Sequence, residues 1–137
     1  LRDALPEPYE KPTNIQILPD EFLEGGGAEI VPGVAIRALA APGHTEGSTI
    51  YFLSGDWSSE VTGAAGAESG STGLVLSGDV IFRGSIGRTD LPGGDHEVMT
   101  WTLRTLKQVI DPATMLFPGH GPATTMELEL RHNPFLA

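Results

Sequence analysis

Apolar and polar residues alternate in short runs along most of this chain, and helical spacing is confined to its last third. Asn14-Ile15-Gln16-Ile17-Leu18 reads as a short strand ahead of the turn cluster Pro19-Asp20-Glu21, and Gly25-Gly26-Gly27 marks another loop. Glu29-Ile30-Val31, a Pro32-Gly33 turn and the run from Val34 to Leu39 predict a hairpin whose second strand leads into Pro42-Gly43-His44. Ser48 to Leu53 predicts the next strand. Leu74-Val75-Leu76 predicts another, ending at Ser77-Gly78-Asp79; Val80-Ile81-Phe82 and a Gly-rich connection from Gly84 to Asp90 follow. Asp95 is placed to cap a helix running to about Ile110. Its apolar stripe combines Val98, Thr102, Leu106 and Val109 with Met99, Leu103 and Ile110, and Asp111-Pro112 stops it. Met115-Leu116-Phe117 is a further apolar strand, and it enters Pro118-Gly119-His120-Gly121, the same turn-and-histidine arrangement as at His44. Thr124 followed by Glu127 has the capping-box pattern, which predicts a last helix over 125–132 ended by Asn133-Pro134.

Between these elements the composition shifts once. Residues 55–73 are rich in Gly, Ser and Ala and predict a mobile surface insertion, with Trp57 as a small anchor, inside a single domain spanning 1–137. A length of 137 residues, 39% apolar and 19% charged, is that of one soluble globular domain. The formal net charge of -10 argues against a partner held through its phosphates, because nucleic-acid binders gain affinity through Lys and Arg. Cysteine is absent, so a disulfide frame and a Cys-based zinc site are excluded, and any metal must be held by His, Asp or Glu. No apolar run approaches the roughly 18 residues of a membrane span and no signal peptide is visible, so the expected location is cytoplasmic. Leu1-Arg2-Asp3 carries no initiator methionine, and the expectation is a piece of a longer chain.

Three candidate ligands share one context. His44, Asp79 and His120 each follow an apolar strand, and each has a glycine beside it that permits close approach of backbone or ligand. Separations of 35 and 41 residues are too long for a local motif, so only the fold can bring them together. His96 at a helix start and His132 at a helix end are expected to take no part.

The segments "APGHTEGS", "SGDVIF", "SIGRTDLPGGD", "FPGHGPATT" and "NPFL" occur in that order, and from about Glu29 to Leu136 the chain resembles the second half of the metallo-β-lactamase superfamily, in particular its glyoxalase II-like (hydroxyacylglutathione hydrolase-like) hydrolases. The resemblance implies an α/β (α+β) fold, the αββα sandwich, of which this chain carries the C-terminal half only. It also implies that His44 ligates one metal, His120 a second, and Asp79 bridges the two as the catalytic carboxylate. The implied cofactors are two divalent ions, zinc first, with iron or manganese as alternatives. Imidazole and carboxylate suit these metals, and two close ions lower the pKa of a shared water, giving hydroxide near neutral pH to attack a carbonyl.

One departure from the family is large. Its first ligand motif, His-x-His-x-Asp-His, is absent, since no two of the four histidines lie closer than His120 and His132. Each ion would keep two protein ligands where a catalytic zinc usually has three, so the chain alone is expected to be inactive. The absent strands would form the partner sheet, leaving an apolar face to be covered by the missing N-terminal half or by a second chain. In the family the Gly-Arg-Thr-Asp loop lies beside the metals, so Arg88 either meets an acidic substrate group or pairs with Asp90, while Ser85 and Thr89 serve loop hydrogen bonding.

The resemblance implies hydrolysis of small-molecule acyl thioesters, of a thiol such as glutathione. An iron-dependent persulfide dioxygenase is the alternative, although Ile86 stands where that branch tends to carry cysteine. A nuclease is disfavoured by the acidic balance and a true β-lactamase by the "SIGRTDLPGGD" loop; an incomplete, inactive scaffold is the remaining reading.

Overall fold

In the computed structural model, which describes Thr13 and residues 27–55 and 73–137, a mixed α/β layer is built from eight strands and two helices. The strand expected at 14–18, the turn after it and the insertion expected at 55–73 with Trp57 lie outside the described residues, apart from the insertion's two end glycines.

The strands are β1 (Ala28–Val31), β2 (Val34–Ala40), β3 (Thr49–Gly55), β4 (Leu74–Gly78), β5 (Ile81–Phe82), β6 (Ser85–Ile86), β7 (Met115–Pro118) and β8 (Thr124–Thr125). Helix α1 (His96–Val109) connects β6 to β7, and α2 (Met126–His132) follows β8. Six strands form one sheet in the order β1-β2-β3-β4-β7-β8, while β5 and β6 make a separate small hairpin. Every neighbouring pair in the large sheet is antiparallel except β4 with β7. Because β2 and β4 each oppose β3, and β7 runs with β4, the strands β2, β4 and β7 point the same way. Their C-terminal ends therefore lie along one edge, the position where α/β sheets present their ligands.

Register separates the two faces of the sheet. Ile50, Val75 and Leu116 are fully buried on the face that carries the core, joined by Met99, Leu103 and Leu106 of α1, Ile110 at its C-cap and Met126 of α2. Each large side chain buried this way contributes roughly 1.5–3 kcal/mol. The opposite face carries two apolar rows: Ile36, Leu53, Leu74 and Met115, then Ala38, Tyr51, Leu76 and Phe117. Leu76 in the second row is 41% exposed.

Asp95 caps α1 as expected, its Oδ1 accepting from the Val98 N–H at 3.0 Å. The buried stripe, however, is Met99, Thr102, Leu103, Leu106 and Ile110, and Val109 is exposed. A helix buries the arc of about 100° centred on Met99, Leu103 and Leu106, and Val109 falls outside it. The last helix is capped by Thr125 rather than Thr124: the Thr125 hydroxyl accepts from Leu128 N–H, and Glu127 pairs with Arg131 one turn on instead of reaching back. Both threonines pair in the sheet, and what distinguishes Thr124 is that its hydroxyl donates to Glu129.

Candidate metal centre

His44, Asp79 and His120 follow β2, β4 and β7, the three co-directional strands, and the fold brings them together as the shared strand-end context predicts. The Asp79 carboxylate faces both imidazoles at once, with Oδ2 3.5 Å from His44 Nε2 and Oδ1 3.3 Å from His120 Nε2. One oxygen thus serves each ring. The His44 side chain is 21% exposed and that of His120 77%, so the cluster opens to solvent on the His120 side. Among the described residues no three His, Asp or Glu side chains close into a set able to hold a metal by themselves.

Three contacts fix His44. Its Nδ1–H donates to the Arg88 carbonyl at 2.7 Å. A carbonyl only accepts, so Nδ1 carries a proton in this contact and Nε2 is the nitrogen turned toward Asp79, the orientation in which an imidazole offers Nε2 to a metal. The main chain before His44 is held by α1, where the Asp95 N–H donates to the Gly43 carbonyl at 2.8 Å and the Thr102 hydroxyl to the Pro42 carbonyl at 2.6 Å. Gly43 has φ +136 and lies so close to α1 that a Cβ would come within 2.5 Å of the Met99 Cα, so no other residue fits without moving the helix.

Asp79 sits in the turn between β4 and β5, where the Val80 N–H donates to the Ser77 carbonyl and the Gly119 N–H to the Gly78 carbonyl. That second bond ties the loop before His120 to the turn that carries Asp79. The His120 ring also meets Phe82 edge-on, with centroids 5.8 Å apart and planes at 72°, an arrangement worth about 0.5–1.5 kcal/mol. Gly87 packs flat on the cluster: a Cβ there would lie 1.8 Å from the Asp79 carbonyl oxygen and 3.0 Å from His44 Cγ.

The Arg88 side chain makes a bidentate pair with Asp90, both N···O distances being 2.8 Å. The hydrogen bond from Arg88 holds the Asp90 carboxyl down at about 2, and both side chains are exposed. The side-chain pairing holds the loop, while its main-chain carbonyl meets His44. His96 opens α1 with its Nδ1 3.5 Å from the Thr89 hydroxyl, and His132 closes α2. Sequence reading missed the Arg88 carbonyl and the Phe82 ring, since main-chain acceptors and edge contacts leave no mark in residue type. It also missed Glu129, which is 2% exposed. Met126, Glu129, Leu130 and Asn133 share one helical face, and that spacing was the available signal.

No family model matches the chain. Among curated proteins it is 33% identical over 117 residues to the probable metallo-hydrolase YqgX of Bacillus subtilis, covering 85% of this chain and 48% of YqgX. It is 32% identical over 140 residues to the hydroxyacylglutathione hydrolase GloC of Haemophilus influenzae, covering 99% of this chain and 58% of GloC. The chain spans about half the length of the curated relatives it matches. Of the solved structures, TTHA1623 in a di-iron-bound form superposes with a TM-score of 0.59 at 34% identity, over 97% of this chain and 52% of that one. The B3 metallo-β-lactamase BLEG-1 gives 0.54 at 33% identity over 74% of this chain and 41% of that one, and ETHE1 from Myxococcus xanthus 0.57 at 30% over 79% and 42%. Motif order, topology and these likenesses agree: the chain belongs to the metallo-β-lactamase superfamily, among its glyoxalase II-like members.

Proposed function

We propose that His44, Asp79 and His120 are half of a two-metal centre that hydrolyses acyl thioesters of a small thiol, the other half coming from the rest of the protein. The observation that carries this reading is the Asp79 carboxylate, which offers one oxygen toward each imidazole at 3.5 and 3.3 Å. The donor chemistry fits borderline divalent ions, zinc, iron or manganese, with His44 and Asp79 on one ion and His120 and Asp79 on the other. Two protein donors per ion fall short of the three that catalytic zinc takes, so further donors must come from outside the described residues. When bound, such ions acidify water and polarise a carbonyl. The chain's own residues fix the donors: the Arg88 carbonyl keeps the His44 proton on Nδ1, α1 holds the main chain before His44, and Phe82 limits the His120 ring. The Arg88 guanidinium, exposed and paired with Asp90, is the group that would exchange that partner for an acidic group of the substrate.

The apolar rows from Ile36 to Met115 and from Ala38 to Phe117 are the surface on which a second sheet would pack, supplied by the rest of the protein. Charge supports a small-molecule substrate over nucleic acid, the net charge being -10. Among the described residues no helix is long and apolar enough to cross a membrane.

The test is an acyl-thioester hydrolysis assay with measured metal content on three proteins: the full-length protein, this chain alone and the full-length Asp79→Ala variant. Turnover is expected in the first only, with metal lost from Asp79→Ala. Turnover by the chain alone would refute the half-site reading, and full activity in Asp79→Ala would refute the site. The likeness to ETHE1 at 30% identity keeps a persulfide dioxygenase as the second reading, and oxygen uptake with a persulfide in place of thioester turnover would select it.

A further inference from the structure

The small hairpin β5–β6, with the residues at its two ends, touches every member of the candidate centre. Asp79 precedes it, its Phe82 ring meets His120, and Gly87 and Arg88, which contact Asp79 and His44, leave it. Two-residue strands do not hold themselves in place, so something must grip this hairpin.

The grip comes from α2. Glu129 Oε1 accepts from the Gly84 N–H at 2.7 Å, at the hairpin's turn, and from Asn133 Nδ2 at 3.0 Å, while Oε2 accepts from the Thr124 hydroxyl at 2.6 Å. Asn133 is fully buried and also directs its amide to the Phe82 carbonyl at 3.3 Å and the Ser85 carbonyl at 2.9 Å, one on each strand. The Ser77 hydroxyl adds a bond to the Ile81 carbonyl at 3.0 Å. A carboxylate buried to this degree is costly unless its oxygens are fully occupied, and here they receive three donors. No side chain at 129 without two acceptor oxygens or an amide in their place would satisfy Gly84 and Thr124 together.

We propose that Glu129 and Asn133 are remote positioning residues of the metal centre, clamping the β5–β6 hairpin so that the Arg88 carbonyl and the Phe82 ring hold the two imidazoles toward Asp79. The proposal rests on the ligand assignment above. The clamp contacts none of the three candidate ligands and reaches His44 through the hairpin, so its signature is the proton on His44 Nδ1 rather than the chemistry of turnover.

The experiment is long-range proton–nitrogen NMR of the imidazoles in metal-free, full-length protein, joined to a titration with cobalt(II) alone. Wild type is expected to keep a proton on His44 Nδ1, bonded to the Arg88 carbonyl. In Glu129→Ala the carbonyl drifts away, His44 shifts toward the Nε2–H form that free imidazole favours, and cobalt binds about tenfold more weakly. Glu129→Gln keeps Oε1 for Gly84 and lets the Thr124 hydroxyl accept from the new amide, so both readouts stay at wild-type values. Asn133→Ala leaves the Glu129–Gly84 bond in place and repeats the test by a second route, which decides the matter should Glu129→Ala not fold. Folded Ala variants that melt lower yet keep the wild-type tautomer and cobalt affinity would overturn the proposal, because their role would then be structural only. If wild type bound no cobalt, the ligand assignment would fall, and the tautomer readout would still decide whether the clamp exists.

Discussion

Adding one methyl group at Gly87 probes how closely the hairpin is fitted to the centre. A Cβ there would stand 1.8 Å from the Asp79 carbonyl oxygen, 3.0 Å from its carbon and 3.0 Å from His44 Cγ. Ordinary contact begins near 3.4 Å, so backbone must separate from backbone by about 1.6 Å, and no flexible side chain is available to yield instead. Gly87 is absent from the positive-φ glycines, so the effect is steric rather than conformational. Overpacking of this kind costs about 1–3 kcal/mol, which lowers the melting temperature by roughly 4–12 °C in a domain of this size. The more specific effect is on the ligands, because metal sites tolerate only about 0.2 Å of misplacement and disturbed outer contacts weaken binding 10–100-fold. Gly87→Ala should therefore melt lower and, in the full-length protein, lose cobalt affinity by at least about tenfold. Gly47→Ala is the control, since nothing lies within 4 Å of its added Cβ and it should change neither quantity. Wild-type melting and cobalt binding in Gly87→Ala would show that the Asp79 turn and the 87–88 segment are not packed as described.

Two further outcomes separate main-chain from side-chain roles and set a pH dependence. Arg88→Ala should leave metal content unchanged, because His44 is held by the main-chain carbonyl, while KM for the thioester rises with kcat retained; loss of metal instead would mean that the Asp90 pair positions that carbonyl. For Glu129, burial raises the carboxyl pKa, but hydrogen bonds from Thr124, Gly84 and Asn133 and the nearby Arg83 charge outweigh it and hold the group below its ordinary 4.5. A depressed folded-state value stabilises the fold above the ordinary pKa and is lost as pH falls through the depressed one. Urea midpoints should thus decline below about pH 4.5 more steeply in wild type than in Glu129→Gln, and identical acid profiles would contradict the net effect assigned to those hydrogen bonds.

The three candidate ligands were legible because each is announced locally: a run of apolar residues, a glycine, then a side chain of a type able to bind metal. That they meet was not legible from spacing, since convergence depends on β2, β4 and β7 pointing the same way, which is a property of pairing between strands far apart in sequence. The cap at Asp95 and the end of α1 were visible because capping is a local hydrogen bond. The β5–β6 hairpin was not, because four residues around Gly84 carry too little alternation to distinguish strand from loop. Thr124 misled for the opposite reason. It has the residue type of a cap, but the buried carboxylate beside it claims its hydroxyl.

The direction of β3 fixes where this protein can be lengthened or labelled. That strand begins at Thr49 beside the candidate centre and ends at Gly55, and the chain re-enters the sheet at Gly73 ahead of Leu74. Seven residues at about 3.3 Å each put the exit and the return roughly 20 Å from the His44 edge. The connection between Gly55 and Gly73 is therefore anchored at the far rim of the sheet, whatever its length. A fluorophore, an affinity tag or a whole guest domain spliced between those two glycines would be attached at the rim opposite the candidate ligands.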